Sequence, residues 1–144
     1  MKRAQVLLVE DNEADVDLAR ETFSRGRIGV DLSVARDGVD ALDFLLRRRD
    51  HARAPRPDLV LLDLNLPKLD GKGVLAAMKE NPALRSIPVV VLSGSDADAD
   101  VCGSYGLGAN CYVTKPAGLA AFQGVVRSIE DFWLEVVELP RSGG

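Results

Sequence analysis

Five short apolar runs, separated by longer amphipathic stretches, set the strongest limit on what this chain can fold into. The runs are residues 6–9, 32–35, 59–62, 87–92 and 111–113. The third and fourth runs are apolar without alternation, which is typical of strands buried on both faces. Between the runs, apolar residues recur every three or four positions, as they do in amphipathic helices. This alternation of strand and helix predicts βαβ units that form a parallel sheet.

The number of units and the chain length indicate one fold class. Five units in 144 residues fit a flavodoxin-like (βα)5 fold, a doubly wound parallel α/β sheet with strand order 2-1-3-4-5. A Rossmann-type half would need a Gly-rich phosphate loop after the first strand, where this chain has Glu10-Asp11-Asn12-Glu13. Helical spacing continues from Leu119 to Val137, so we expect an extended C-terminal helix.

Composition and charge argue against several classes of partner. The net charge of −4 and the pI near 5.0 give no electrostatic reason to bind nucleic acid or an anionic membrane. The aromatic content of 5% also argues against a surface for base stacking. With two cysteines, no signal peptide and no apolar run long enough to span a membrane, we expect a cytoplasmic protein.

Polar side chains follow the predicted strands at the points where they end. Glu10 and Asp11 follow the first strand, Asp63 follows the third, Ser93 ends the fourth, and Lys115 lies just past the fifth. Parallel strands end at one edge of a sheet, and ligands of such sheets bind beyond that edge. Three carboxylates would therefore meet in one crevice, where a hard divalent cation such as Mg²⁺ would offset their repulsion.

These residue types also suit phosphoryl transfer. An aspartate beside a metal ion can act as a nucleophile and carry an aspartyl phosphate. The transfer needs a metal, a cation and hydrogen-bond donors around the charge of the moving group. Lys115 would supply the cation, Ser93 would supply a hydroxyl, and Gly94 would leave room for the phosphoryl group.

Taken together and in order, these motifs resemble the receiver domain of two-component response regulators. The motifs are Glu10-Asp11, Asp63-Leu64-Asn65-Leu66-Pro67 with Asp70-Gly71, Ser93-Gly94 and Lys115-Pro116. The resemblance covers residues 4–130. Ala109-Asn110-Cys111-Tyr112 and Phe132-Trp133-Leu134 are more particularly similar to single-domain regulators that pair with phytochrome photoreceptor kinases.

The resemblance implies how the acidic residues would act. Asp63 would accept a phosphoryl group from a histidine of a sensor histidine kinase, here of the phytochrome type. Mg²⁺ would be bound by Asp11, Asp63 and the backbone carbonyl of Asn65, with Glu10 acting through a bound water. The family is a signalling module that catalyses only its own phosphorylation and dephosphorylation, rather than a turnover enzyme.

The resemblance also implies a conformational response. Lys115 would pair with the phosphoryl oxygens, and Ser93 would donate its hydroxyl to them. Tyr112 occupies the family's aromatic switch position and would swing inward as Ser93 moves. The charge gained at one point would then alter the surface formed by helix four, strand five and helix five.

Simpler or different interpretations remain open for the same residues. Asp11 could cap the first helix, Ser93 could cap the fourth, and Tyr112 could be an ordinary strand aromatic. A Mg²⁺-dependent phosphatase would need an acid two residues after its nucleophile, where this chain has Asn65. A pseudo-receiver that only binds partners should have lost part of the acidic site or Lys115, yet all are present.

The C-terminal residues predict a second feature. We expect residues 1–130 to form the receiver domain and residues 131–144 to form an extension. Phe132, Trp133 and Leu134 carry the apolar surface beyond the expected core. They could fold back on their own domain, or they could join helix four, strand five and helix five in a homodimer contact. A similar extension in the phytochrome-linked family favours the homodimer.

Overall fold

The computed structural model describes residues 3–26, 28–94, 97–116 and 118–136, and these form a parallel α/β sheet. The strands are β1 (Ala4–Val9), β2 (Val30–Ala35), β3 (Leu59–Leu62), β4 (Val89–Ser93) and β5 (Cys111–Thr114). All neighbours are parallel, in the order β2-β1-β3-β4-β5. The predicted fold class and strand order are confirmed. β4 begins at Val89 rather than at Ile87, because Pro88 has no N–H to donate to a sheet.

In the described part of the chain, five α-helices connect or follow the strands. They are α1 (Glu13–Ser24), α2 (Gly38–Leu45), α3 (Gly71–Glu80), α4 (Asp98–Gly106) and α5 (Leu119–Ile129). A 3₁₀ turn (Arg49–His51) lies between α2 and β3, and a π-helical segment (Glu130–Val136) continues α5 without a break. The predicted C-terminal helix is therefore extended as far as Val136, while residues 137–144 lie outside the described residues. Within the described residues, no helix combines the length and apolarity that crossing a membrane requires.

Two apolar layers cover the two faces of the sheet. Leu7 and Val9 of β1 pack into the layer that contains α2 and α3, whereas Val6 and Leu8 pack into the layer that contains α1 and α5. All four residues of β3 are buried, which explains why its sequence is apolar without alternation. Each fully buried Val or Leu contributes about 1.5–3 kcal/mol, so the register of the central strands is strongly fixed.

The register aligns the carboxyl ends of the strands at one edge. Val9 of β1 pairs with Leu62 of β3, so the acidic residues that follow these two strands are neighbours. Ser93 of β4 pairs with Thr114 of β5, which places the residue after β5 at the same edge. The fold therefore brings together polar residues that are far apart in the chain.

Candidate functional site

Three carboxylates meet at this edge of the sheet. One ligand oxygen from each of Glu10, Asp11 and Asp63 lies within 4.8 Å of the others. Glu10 and Asp63 are buried, with 3% and 7% of their surface exposed, while Asp11 is exposed to solvent. Hard divalent cations prefer such oxygen ligands, and one exposed ligand leaves the site open to water and substrate. The donor set therefore fits a divalent metal ion.

The loop that follows β3 is held against the strand end by a close backbone approach. A Cβ at Gly71 would lie 2.3 Å from the carbonyl oxygen of Asp63, so only glycine fits. The Gly71 N–H donates to the carbonyl of Leu64 at 2.9 Å, which closes the loop. Asp70 caps α3 by accepting from the N–H of Gly73 at 2.9 Å. These contacts fix the backbone that carries Asp63.

Lys115 joins the carboxylates from the end of β5. Its Nζ donates to Glu10 Oε1, to Asp15 Oδ2 at 2.9 Å and to Asp63 Oδ2 at 3.3 Å. Only 14% of the lysine side chain is exposed. An ammonium group has three N–H donors, and here each has a carboxylate partner. Lys115 therefore lies beside Glu10 and Asp63, as the sequence predicts, and Asp15 is a further partner.

Asp15 contacts Lys115 although none of the sequence motifs includes it. It lies in the first turn of α1, and its N–H donates to Oδ1 of Asn12 at 3.1 Å. Asn12, and not Asp11, therefore caps α1, so helix capping does not account for Asp11. The available signal was the position of Asp15 in the first turn of a helix that starts at the carboxyl edge of the sheet.

Burial and neighbouring charges shift the ionisation of Glu10 and Lys115. Burial raises the pKa of Glu10 to about 7, and the nearby Asp63 adds to this shift while Lys115 opposes it. Burial alone would lower the pKa of Lys115, but its hydrogen bonds to Glu10 and Asp15 raise that pKa above the ordinary value. The lysine therefore stays charged near neutral pH, while burial favours the protonated form of Glu10.

The remaining predicted site residues lie around this cluster. The Asn65 N–H donates to Oδ1 of Asp63 at 3.2 Å, which places Asn65 next to the central carboxylate. Ser93 is fully buried at the end of β4, and its carbonyl accepts from the N–H of Lys115 at 2.7 Å. The N-cap of α4 is Ala97, so Ser93 does not cap that helix.

Tyr112 lies in β5, which β4 separates from the strands that carry the carboxylates. It is half-buried against the core layer that contains α2 and α3. Its backbone N–H donates to the hydroxyl of Tyr105 at 3.0 Å, which ties β5 to α4. Lys72 of α3 in turn contacts Asp100 of α4 at 2.6 Å. The Tyr112 backbone therefore links β5, the neighbour of β4, to α4.

The comparisons with known proteins agree with this geometry. The family model of the response regulator receiver domain matches residues 6–127. The chain belongs to this family. Its receiver domain includes the three carboxylates, Ser93 and Lys115.

Individual relatives match nearly the whole chain. The chain is 49% identical to the response regulator Rcp1 of Synechocystis over 135 residues, which is 94% of this chain and 92% of Rcp1. The crystal structure of phosphorylated RcpA, a cyanobacterial phytochrome response regulator, matches with a TM-score of 0.94 at 45% identity and covers 97% of this chain and all of RcpA. The Mn²⁺-bound structure of Rcp1 matches with a TM-score of 0.92 at 48% identity, covering 96% and 99% of the two chains.

Part of the segment after α5 folds back on its own domain, and part of it stays exposed. Trp133 and Leu134 pack back against the core layer that contains α1 and α5. Phe132 instead keeps 54% of its surface exposed. An apolar groove of about 470 Å³ lies beside it, and its lining includes Val113, Val125 and Trp133. The extension therefore covers part of its own domain and leaves an apolar surface beside edge strand β5.

Proposed function

We propose that this receiver accepts a phosphoryl group on Asp63 from the phosphohistidine of a sensor histidine kinase, and that this kinase is of the phytochrome type. The observation that carries the proposal is the contact of Lys115 with Asp63 inside the carboxylate cluster. The likeness to RcpA, whose structure is that of a phosphorylated phytochrome response regulator, supports the choice of kinase. A protein that receives a phosphoryl group from such a kinase would be located in the cytoplasm.

The transfer is a displacement at phosphorus. An oxygen of the Asp63 carboxylate attacks, a P–O bond forms, and the P–N bond to the kinase histidine breaks. The released imidazole nitrogen keeps the electron pair of the broken bond, and a proton already on the other ring nitrogen, or one taken from solvent, leaves the imidazole neutral. The Lys115 ammonium and the Ser93 hydroxyl would offset the charge on the phosphoryl oxygens.

Mg²⁺ is the metal ion that we propose for this site. Asp11, Asp63 and the backbone carbonyl of Asn65 would bind it directly, and Glu10 would act through a bound water. The ion would lower the electrostatic cost of bringing a phosphoryl group to an acidic cluster. The clustering of three carboxylates within 4.8 Å supports this assignment.

The phosphorylated receiver would signal through its surface and would not act as a turnover enzyme. Ser93 and Lys115 would move towards the phosphoryl oxygens, and Tyr112 would turn inward behind Ser93. The contacts of β5 and α3 with α4 support a path to the surface formed by α4, β5 and α5. The partner that recognises this surface would be a protein, since neither nucleic acid nor a membrane is expected.

We also propose that two copies associate through this surface. In this proposal residues 1–130 form the receiver domain, and residues 131–144 form an extension that takes part in the contact. The exposed Phe132 and the apolar groove beside β5 support it, because a monomer would leave both in water. A contact of identical surfaces would be two-fold symmetric.

The intact mass of the protein after incubation with acetyl phosphate and Mg²⁺ tests the proposed phosphorylation. We expect the wild type to gain one phosphoryl group, and we expect Asp63→Asn and wild type in excess chelator to gain none. Some receivers are not phosphorylated by small-molecule phosphoryl donors. An unlabelled wild type would therefore next be titrated with beryllofluoride, an analogue of the phosphoryl group. Failure to bind it would favour the pseudo-receiver alternative.

A further inference from the structure

Lys115 and three residues near it, Glu10, Asn12 and Asp15, form a closed ring of hydrogen bonds. The Asn12 N–H donates to Glu10 Oε2 at 3.2 Å, and the Asp15 N–H donates to Asn12 Oδ1 at 3.1 Å. Lys115 closes the ring by donating to Asp15 Oδ2 at 2.9 Å and to Glu10 Oε1. The cap of α1 therefore fixes Asp15 in the position where it receives the lysine.

Asp15 differs from the other two partners of Lys115. Glu10 and Asp63 belong to the carboxylate cluster that fits a metal ion, and Asp15 does not. When a cation occupies the cluster, part of the charge of Glu10 and Asp63 is offset by that cation. Of the three carboxylate partners of Lys115, Asp15 would then be the one whose negative charge the cation does not offset directly. Its side chain is 25% exposed, compared with 9% for Asp63, so it also lies nearer to solvent.

All three donors of the Lys115 ammonium are already in use. A phosphoryl oxygen can gain a hydrogen bond from Lys115 only if one carboxylate gives up its own. Asp15 competes in this exchange, because its negative charge attracts the ammonium and repels an incoming phosphoryl dianion. Its contact favours the state in which Lys115 points towards α1.

We propose that Asp15 is a positioning residue that holds Lys115 against α1 in the unphosphorylated receiver and so opposes phosphorylation of Asp63. This inference rests on the proposed function, since it concerns the same reaction. Asp15 does not touch the reacting atoms and acts only through the lysine. Its removal should make the lysine more available to the phosphoryl group.

The rate of labelling by acetyl phosphate at saturating Mg²⁺ tests the role of Asp15. Asp15→Asn keeps the size of the side chain and an acceptor oxygen but removes the charge. We expect it to be labelled faster by about two- to fivefold, because losing a partly exposed ion pair changes a rate or an equilibrium by about this factor. We expect Asp15→Glu, which restores the charge, to return towards the wild-type rate.

Asp17→Asn is the matched control. Asp17 lies on the same helix, is exposed and is not among the partners of Lys115, so its variant carries the same change in net charge without the contact. Beryllofluoride affinity, followed by fluorine NMR, should rise in Asp15→Asn alone. An Asp15→Asn rate equal to or below that of the wild type, or an equal rise in Asp17→Asn, would overturn the inference. A wild type that is neither labelled nor bound by beryllofluoride would instead reject the proposed function.

Discussion

Nζ of Lys115 lies 3.3 Å from Oδ2 of Asp63, although 52 positions separate the two residues in the chain. Asp63 follows β3 and Lys115 follows β5, so the lysine reaches across the end of the intervening strand β4. The pair therefore depends on the register of three strands and on the buried core that fixes it. A local motif alone could not hold these groups together.

Lys115→Ala should separate phosphorylation from the conformational response. We expect the variant to be labelled at Asp63, because the metal cluster and the nucleophile remain. The signal to α4 should be lost, since the ammonium that would follow the phosphoryl group is gone. Hydrogen exchange in α4 measures this response with and without acetyl phosphate. Lys68→Ala, which removes an exposed lysine, should respond like the wild type, and a normal response in Lys115→Ala would contradict the role of the lysine.

Metal affinity should depend on pH through Glu10. The pKa of Glu10 is raised to about 7, so below that pH the carboxyl holds a proton that a bound cation must displace. Affinity for Mg²⁺ should therefore fall as the pH falls, by about tenfold between about pH 8 and about pH 6. Calorimetric titration with Mg²⁺ at several pH values measures this affinity. Glu10→Gln should bind more weakly without this dependence, and a wild-type affinity that stays constant would exclude a charged Glu10 from the metal site.

Gly71→Ala should destabilise the protein because of the backbone beside Asp63. The new Cβ would lie 2.3 Å from the Asp63 carbonyl oxygen, so the loop after β3 must move. We expect a loss of about 1–3 kcal/mol in the free energy of unfolding, measured by urea denaturation, together with slower labelling. Gly103→Ala is the control, because its Cβ would make only ordinary contacts and alanine favours a helix. Equal effects of the two variants would contradict the steric explanation.

Phe132→Ser should weaken self-association. Phe132 is 54% exposed beside the apolar groove, and burying it against a second copy would remove this surface from water. Light scattering should give a dimer mass for the wild type and a lower average mass for Phe132→Ser. Val39→Ser also removes an exposed apolar side chain, but from α2 on the other face of the sheet, and should stay dimeric. A monomeric wild type would reject the proposed homodimer.

The sequence predicted those site residues whose positions depend on strand ends. Glu10, Asp63, Ser93 and Lys115 each follow or end an apolar strand, and a parallel sheet must bring such positions to one edge. Asp15 escaped prediction because it lies within the first turn of α1 and not at a strand end. The direction of a helix relative to the sheet depends on packing, which periodicity alone does not give.

The end of the chain illustrates a second limit of sequence patterns. Apolar spacing correctly predicted that helix continues past Ile129, but it did not separate the packing of Trp133 from the exposure of Phe132. Adjacent side chains of a helix project about 100° apart, so the consecutive apolar residues 132–134 cannot all face the core. Which of them does so depends on how the helix packs, and a continuous apolar run does not reveal that.

The identity of the phosphorylated residue is the most direct test of the central claim. Hydride reduction of an aspartyl phosphate gives homoserine, which peptide mass mapping can locate in the chain. We expect homoserine at position 63 in wild type treated with acetyl phosphate and Mg²⁺, and none without the donor. Homoserine at position 11 or 15 with Asp63 unmodified would contradict the assignment of Asp63 as the acceptor.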